Sequence, residues 1–474
     1  MNTFQRKTIA LAVFGALALA GCGAGTSTTG GSTTGTSLAR TGVITGFGSV
    51  FVNGVEYETD SSSVTLDGTS SSESNLKVGM VVTLEGSVND DGVTGVATSI
   101  NYADELEGIV SAVNIATDGT GTLTVMGQTV TIDAATVFES DVVAVTAFSN
   151  IALGNIVEVS GYSAGDGSIF ATRVEVKKAA KEAGDEIELK GLVASVDTTA
   201  QTFMIGAQLV DYHGATLEGM SAPANGVYVE VKSVDGIVGT TLMASKVEIE
   251  DGGDKSLDGA EGDEFEFEGV VMSIVSATEF IVNGQHVLID LAETEFEHGT
   301  ATDIAANAKL EIKGLLNADG KLVAEEIQFS TASSIEMEAL LEGVDATAGT
   351  ITLLGQTIHV NNHTLKIDER DDGVTPEHYF DLTDLAAGQF VEVKAYIDDT
   401  GALVATLLKR DDGTPSTVNL EGPITAVNGT QVVVAGVTIE LAGMGLTPMV
   451  GDELHVEGTF ASSMLTASSA EISN

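Results

Sequence analysis

The sequence predicts an all-β protein of about six tandem units, each a small antiparallel OB-like barrel, after an N-terminal segment of different composition. Three observations carry that prediction. A phrase recurs six times along the 474 residues, opening at Gly42, Gly108, Gly191, Gly269, Gly343 and Gly422, at intervals of 66 to 83 residues. Each copy sets a glycine (Gly54, Gly127, Gly206, Gly284, Gly355, Gly436) between two runs that alternate apolar and polar residues, as a tight hairpin requires. Apolar residues make up 43 % of the chain, enough to build cores, while Pro numbers only 5.

The elements follow in order within each copy. The second and third strands flank the hairpin glycine; in the first and fourth copies the turn is Asn53-Gly54 and Asn283-Gly284, a pair that accepts the positive φ angles of a type I′ turn. A fourth strand reads GMVVTLEG from Gly79, GNIVEVSG from Gly154 and GVYVEVKS from Gly226, then AKLEIKG from Ala308, GQFVEVKA from Gly388 and GDELHVEG from Gly451. Its apolar–Glu–apolar alternation points one carboxylate outward and two side chains inward. A fifth strand carries an alanine and an apolar residue three on, as in Ala97/Ile100 and Ala324/Ile327. Thr302-Asp303 and Thr383-Asp384 mark a short helical turn before the fourth strand, where Thr and Asp cap well. Five strands in so few residues must close on themselves to hide their edges, whereas an immunoglobulin-type sandwich needs about 100 residues and seven strands. The units are assigned to 42–104, 105–178, 187–250, 265–330, 338–409 and 419–474. The segments between them, such as 251–264 (DGGDKSLDGAEGDE), are charged or glycine-rich and read as protease-sensitive boundaries.

The N-terminus carries a different signal. Arg6 and Lys7 precede an apolar stretch, Ile9 to Ala20, too short to span a bilayer as a stable helix. That is the pattern of a secretory signal peptide over residues 1–21. It ends in Leu19-Ala20-Gly21-Cys22, which resembles a bacterial lipobox, and Cys22 is the only cysteine of the chain. The resemblance implies cleavage before Cys22 and acylation of its thiol. Gly23 follows where an aspartate would favour retention at the inner membrane, so the resemblance points to the outer membrane. Residues 22–41 are mostly Gly, Ser and Thr after the cysteine, a flexible tether.

The repeated phrases FGSVFVNGVEYET, LKVGMVVTLEGSV and TGVATSI resemble the bacterial repeats of domain-of-unknown-function family 5666, most clearly over residues 42–102 and more loosely to about residue 470. The third and sixth copies depart most from the pattern. The resemblance implies small β-barrel units in an exported protein and brings no catalytic residue with it.

Charge excludes one class of partner. Acids outnumber bases 69 to 20; removing residues 1–21 takes away two bases, so the mature charge is −51. A polyanion of that size repels nucleic acid, and 23 aromatic residues over six units are too few for both cores and a base-stacking platform. Three motifs suggest chemistry that their surroundings do not support. Gly161-Tyr162-Ser163-Ala164-Gly165 matches the G-x-S-x-G nucleophile elbow, but the elbow needs a strand before and a helix after, and here turn residues and another strand follow. His359 and His363 are four apart, which on a strand is about 13 Å, too far to share one ion. Asp254, Ser256 and Asp258 start an incomplete calcium loop that has Phe265 where a bidentate Glu belongs, so a solvated acidic linker is the favoured reading. No cofactor and no metal are expected.

The expected role is therefore a non-enzymatic, lipid-anchored binding or scaffold protein of the bacterial cell envelope, attached to the membrane by its N-terminal lipid and facing an envelope protein or peptide. The alternatives are an envelope hydrolase using Ser163 or the histidines, and a purely structural surface spacer. Expressed in a Gram-negative host with labelled palmitate, the protein is expected to carry label and to partition with membranes, and Cys22→Ala to abolish both; label retained on that variant refutes the lipid anchor.

Overall fold

A computed structural model describes residues 37–473 apart from positions 48, 90, 117–118, 250–258, 331–333, 371–379, 399 and 414. Cys22, the signal peptide, most of the tether and the acidic trio Asp254, Ser256 and Asp258 lie outside the described residues. All the regular structure described is strand and three-residue 3-10 turn.

Unit 1 shows the plan. Its ring strands are Ser37–Gly46, Val50–Val52, Val55–Glu58, Val81–Val88 and Thr94–Tyr102. The first pairs antiparallel with the second and the second with the third; the third runs parallel to the fifth. The fourth lies between the fifth and the first and closes the ring. Units 2, 4 and 6 close in the same order. In unit 3 the fifth strand is broken into Thr241–Met243 and Lys246–Ile249, and in unit 5 the first is broken into Ile335–Leu340 and Gly343–Asp345.

The hairpin glycines sit in the two-residue turns between the second and third strands. Asn53 and Gly54 have φ of 48° and 71°, and Asn283 and Gly284 have 49° and 83°, the double positive φ of type I′. Met126, Leu354 and Ala435 take the Asn position in units 2, 5 and 6 with φ of 44°, 48° and 48°, a region costly for side chains of that kind. Unit 3 differs: Gly206 is the first turn residue, φ 52°, and Ala207 follows.

Two features go beyond the sequence reading. In units 1 to 5 a short extra strand follows the third and runs parallel to the fifth: Ser63–Leu66, Val137–Ser140, Thr216–Glu218, Glu295–Glu297 and Leu365–Asp368. The glycine ending the fourth-strand phrase is a bulge: pairing slips at Gly86, Gly161, Gly314 and Gly458, where a Cβ would sit 2.1–2.4 Å from a carbonyl oxygen of the fifth strand. The predicted helical turns are 3-10 turns whose caps lie upstream of the expected residues. Thr300 and Asp381 are the N-caps, and Asp303 and Asp384 reach back to them in capping boxes.

The units are not separate beads. Each first strand extends beyond its hairpin partner, and the uncovered half-strand pairs with that of another unit. Ala39–Thr41 runs parallel to Phe265–Phe267, joining units 1 and 4, while Leu106 and Glu107 run antiparallel to Leu189 and Glu188, joining units 2 and 3. Glu336 to Glu338 run antiparallel to Asn419 to Glu421, joining units 5 and 6. Units 2 and 3 share one buried core, as do units 5 and 6, and the core of unit 1 includes Val137 from unit 2 and Leu365 and Leu407 from unit 5. A specific protease site placed within 251–258 and cut to completion should therefore leave two fragments that co-elute on native size exclusion and part only in denaturant; separation under native conditions refutes the pairing of units 1 and 4.

Candidate functional site

The candidate site grows from the hairpin of unit 2 that contains the G-x-S-x-G match. Strand Ile156–Ser163 turns through Ala164 to Ser168, where Ala164 N–H donates to Ser168 O at 2.8 Å, and returns as Ile169–Lys178. Strand follows strand, so no nucleophile elbow forms. Strand alternation sends Tyr162 and Ser163 to opposite faces.

Tyr162 plugs a junction of three units. It is 1 % exposed and packs with Val43 and Val81 of unit 1, Ala164 of its own unit and Val270 of unit 4. Its hydroxyl donates to Glu268 Oε2 at 3.0 Å, and Lys309 Nζ reaches Glu268 Oε1 at 3.0 Å. Burial works against the Glu268 carboxylate, but Lys309 and the Tyr162 hydroxyl hold it below the usual carboxylate range.

Ser163 faces a cleft of about 170 Å³ where units 2, 3 and 4 meet. Its Oγ donates to Glu105 Oε2 at 2.8 Å. Lys190 of unit 3 also lines the cleft, donating to Asp104 O and Oδ1 at 2.7 and 2.9 Å. Burial pulls the Lys190 ammonium down, but Asp104 more than reverses this and holds it above the usual lysine value. Lys190 is therefore charged at neutral pH and unsuited to be a base for Ser163. The Ser163 hydroxyl faces a carboxylate and a locked ammonium, an arrangement suited to hydrogen-bonding a guest rather than to generating an alkoxide. Met272 and Asn283 of unit 4 complete the lining, with Gly165 packed against the Met272 backbone.

Sequence reasoning reached Ser163 and missed Glu105 and Lys190. The run Asp104-Glu105-Leu106-Glu107 reads as an acidic unit boundary, yet Asp104 and Glu105 are 4 % and 7 % exposed. The available signal was two acids directly ahead of a strand, facing Lys190 in the corresponding strand of the next copy. The histidines are not brought together on an ion: His359 ends strand Gln356–His359, while His363 lies in the next turn, its Nδ1 3.7 Å from Glu311 of unit 4. Among the described residues no group of three or more His, Cys, Asp or Glu could hold a metal. No helix among them is long and apolar enough to cross a membrane.

The profile of a domain of unknown function (DUF5666) matches residues 41–101, 107–175, 268–328, 340–409 and 421–471. The chain belongs to this family. The sixth copy, expected to depart from the pattern, is among the DUF5666 matches, whereas residues 187–250 lie outside them. That third unit still keeps the DUF5666 strand order and supplies Lys190 to the cleft. No curated protein matches the chain. Among solved structures, Drosophila Unr CSD456 is 16 % identical and the match covers 47 % of this chain and 95 % of that one, with a TM-score of 0.12, too low to carry an argument.

Beside the cleft, the seam between units 2 and 3 sets like charges face to face. Glu107 pairs in register with Glu158 on one side and Glu188 on the other. Burial first, and then Glu158, push the Glu107 carboxyl up to about 7. A carboxyl raised on folding gives stability that is complete below its unfolded pKa and lost as pH rises through the folded value. The full shift corresponds to about 3 kcal/mol, reduced by solvent screening of this partly exposed group to about 1 kcal/mol. Glu107→Gln should therefore stabilise the protein by about 1 kcal/mol at pH 8, with the gain gone by about pH 5, as read by melting curves across pH. A pH-independent difference refutes the strained seam.

Proposed function

We propose that this chain is a non-enzymatic binding scaffold of the bacterial cell envelope, held at the outer membrane by acylation of Cys22 and set off from the lipid by its Gly/Ser/Thr tether. The bacterial lipoprotein reading rests on the lipobox resemblance and the lone cysteine. The binding reading rests on one observation above all: the cleft is lined by fixed hydrogen-bonding groups, but Ser163 faces Glu105 and Lys190 is locked in its charged form. Such a site holds a ligand without turning it over. A mature charge of −51 keeps nucleic acid off the surface.

The test is a photo-crosslinking residue at position 192, on the cleft rim, in the full chain expressed in a Gram-negative envelope, with position 143, 95 % exposed, as the control. A discrete adduct with an envelope component at 192 and none at 143 is expected. No adduct at either position favours the surface spacer. Turnover of p-nitrophenyl esters that disappears with Ser163→Ala supports the hydrolase and overturns the proposal.

A further inference from the structure

The size, shape and polarity of the cleft define its guest more closely, on the binding reading above. An apolar cavity of about 150 Å³ takes a benzene ring, whereas drug-sized ligands need about 300–1,000 Å³. At about 170 Å³ the cleft between units 2, 3 and 4 has room for one six-membered ring. Its walls are not those of a benzene site. Lys190 gives two of its three donors to Asp104 and forms a longer ion pair with Glu230 at 3.6 Å, so a ligand acceptor shares this ammonium with Glu230. Gln128 uses its amide nitrogen on Ile205 O at 2.9 Å, and Asn283 uses its own on Glu268 O at 2.9 Å, so each keeps a carboxamide oxygen as acceptor. Glu105 and Ser163 add a carboxylate and a hydroxyl, and Tyr228 an aromatic ring. Between the polar groups, Ile169, Ile205 and Met272 present apolar surface.

Charge narrows the choice. Glu105, Asp166 and the molecule's overall −51 oppose an anion, while Lys190, although paired with Asp104 and Glu230, keeps an ammonium in the wall against a cation. Donors, acceptors and apolar patches of this size match a ring that carries hydroxyl groups on its rim and C–H groups on its faces. We propose that the cleft at the junction of units 2, 3 and 4 binds a single neutral pyranose, as a free sugar or as the end residue of a glycan.

The experiment uses the full acylated chain in a non-glycosidic detergent, titrated with D-glucose, N-acetyl-D-glucosamine and D-galactose. D-glucuronate, D-glucosamine and phenol are the comparison probes, with binding read by calorimetry and by saturation-transfer NMR. At least one neutral pyranose is expected to bind at least tenfold more tightly than the charged sugars and phenol. Leu192, on the rim and 51 % exposed, is a site where Leu192→Trp fills the cleft without disturbing a core. That variant should keep its melting temperature and lose sugar binding at least tenfold. Tighter binding of phenol or a charged sugar, no binding of any pyranose to folded protein, or sugar binding unchanged by Leu192→Trp each overturns the proposal. Crosslinking at position 192 without sugar binding would leave the scaffold standing and remove the pyranose; sugar binding without an envelope adduct would do the reverse.

Discussion

The first strand of every unit is longer than the hairpin that covers it, and the uncovered half-strand is a row of unpaired backbone N–H and C=O groups. Such an edge is a liability in any β protein. Here the six half-strands are consumed two by two, 1 with 4, 2 with 3 and 5 with 6. In the two antiparallel pairings, of units 2 with 3 and 5 with 6, the apolar residues of the two barrels merge into one core, whereas units 1 and 4, paired in parallel, keep separate cores. The cleft follows as well: it lies where the paired units 2 and 3 meet unit 4, which unit 1 recruits in turn. An even number of units is what leaves no half-strand over.

Charge is arranged around the same joints. With 20 basic residues against 69 acidic ones, the positions of the bases matter. Arg40 meets Glu266 across the seam of units 1 and 4, and Lys190 meets Asp104 across that of units 2 and 3. Lys232 supports Glu188 beside the Glu107–Glu188 contact, and Lys394 supports Glu336 beside the Glu336–Glu421 contact. Among the buried bases described, Lys366 differs: packed in unit 5, it lies 4.4 Å over the Phe51 ring of unit 1 instead of on a carboxylate, and burial lowers its pKa.

What the sequence revealed was what local chemistry dictates. Asn53-Gly54 and Asn283-Gly284 demand their turns, and the Val-Glu-Val alternation of the fourth strand gives both the element and its inward face. The break in unit 5 is hidden because burial alternates without interruption from Ile335 to Leu341, and that in unit 3 because the shift of the inward residues from Leu242 to Val247 looks in the sequence like the three-residue step of the unbroken copies. The partner of each half-strand was hidden for a deeper reason. Leu106-Glu107, Met337-Glu338 and Phe265-Glu266 share one apolar–acid pattern, so nothing local says that the first faces unit 3, the second unit 6 and the third unit 1. Ser163 could be placed in a hairpin from its neighbours, but its partner Glu105 lies 58 residues away, beyond the reach of any motif.

The nested pairing also sets a timetable. Adjacent units 2 and 3, like 5 and 6, can join as soon as both have emerged. Unit 1 must wait for a partner strand 226 residues later, the separation between Arg40 and Glu266. At a synthesis rate of about 5–20 residues per second that interval is roughly 10–45 s. For that time the earliest barrel exists with a bare sticky edge while two later barrels are made, and a neighbouring copy at the same stage offers the same edge. The slowest joint of the molecule is thus also its point of greatest exposure to intermolecular mispairing during biogenesis.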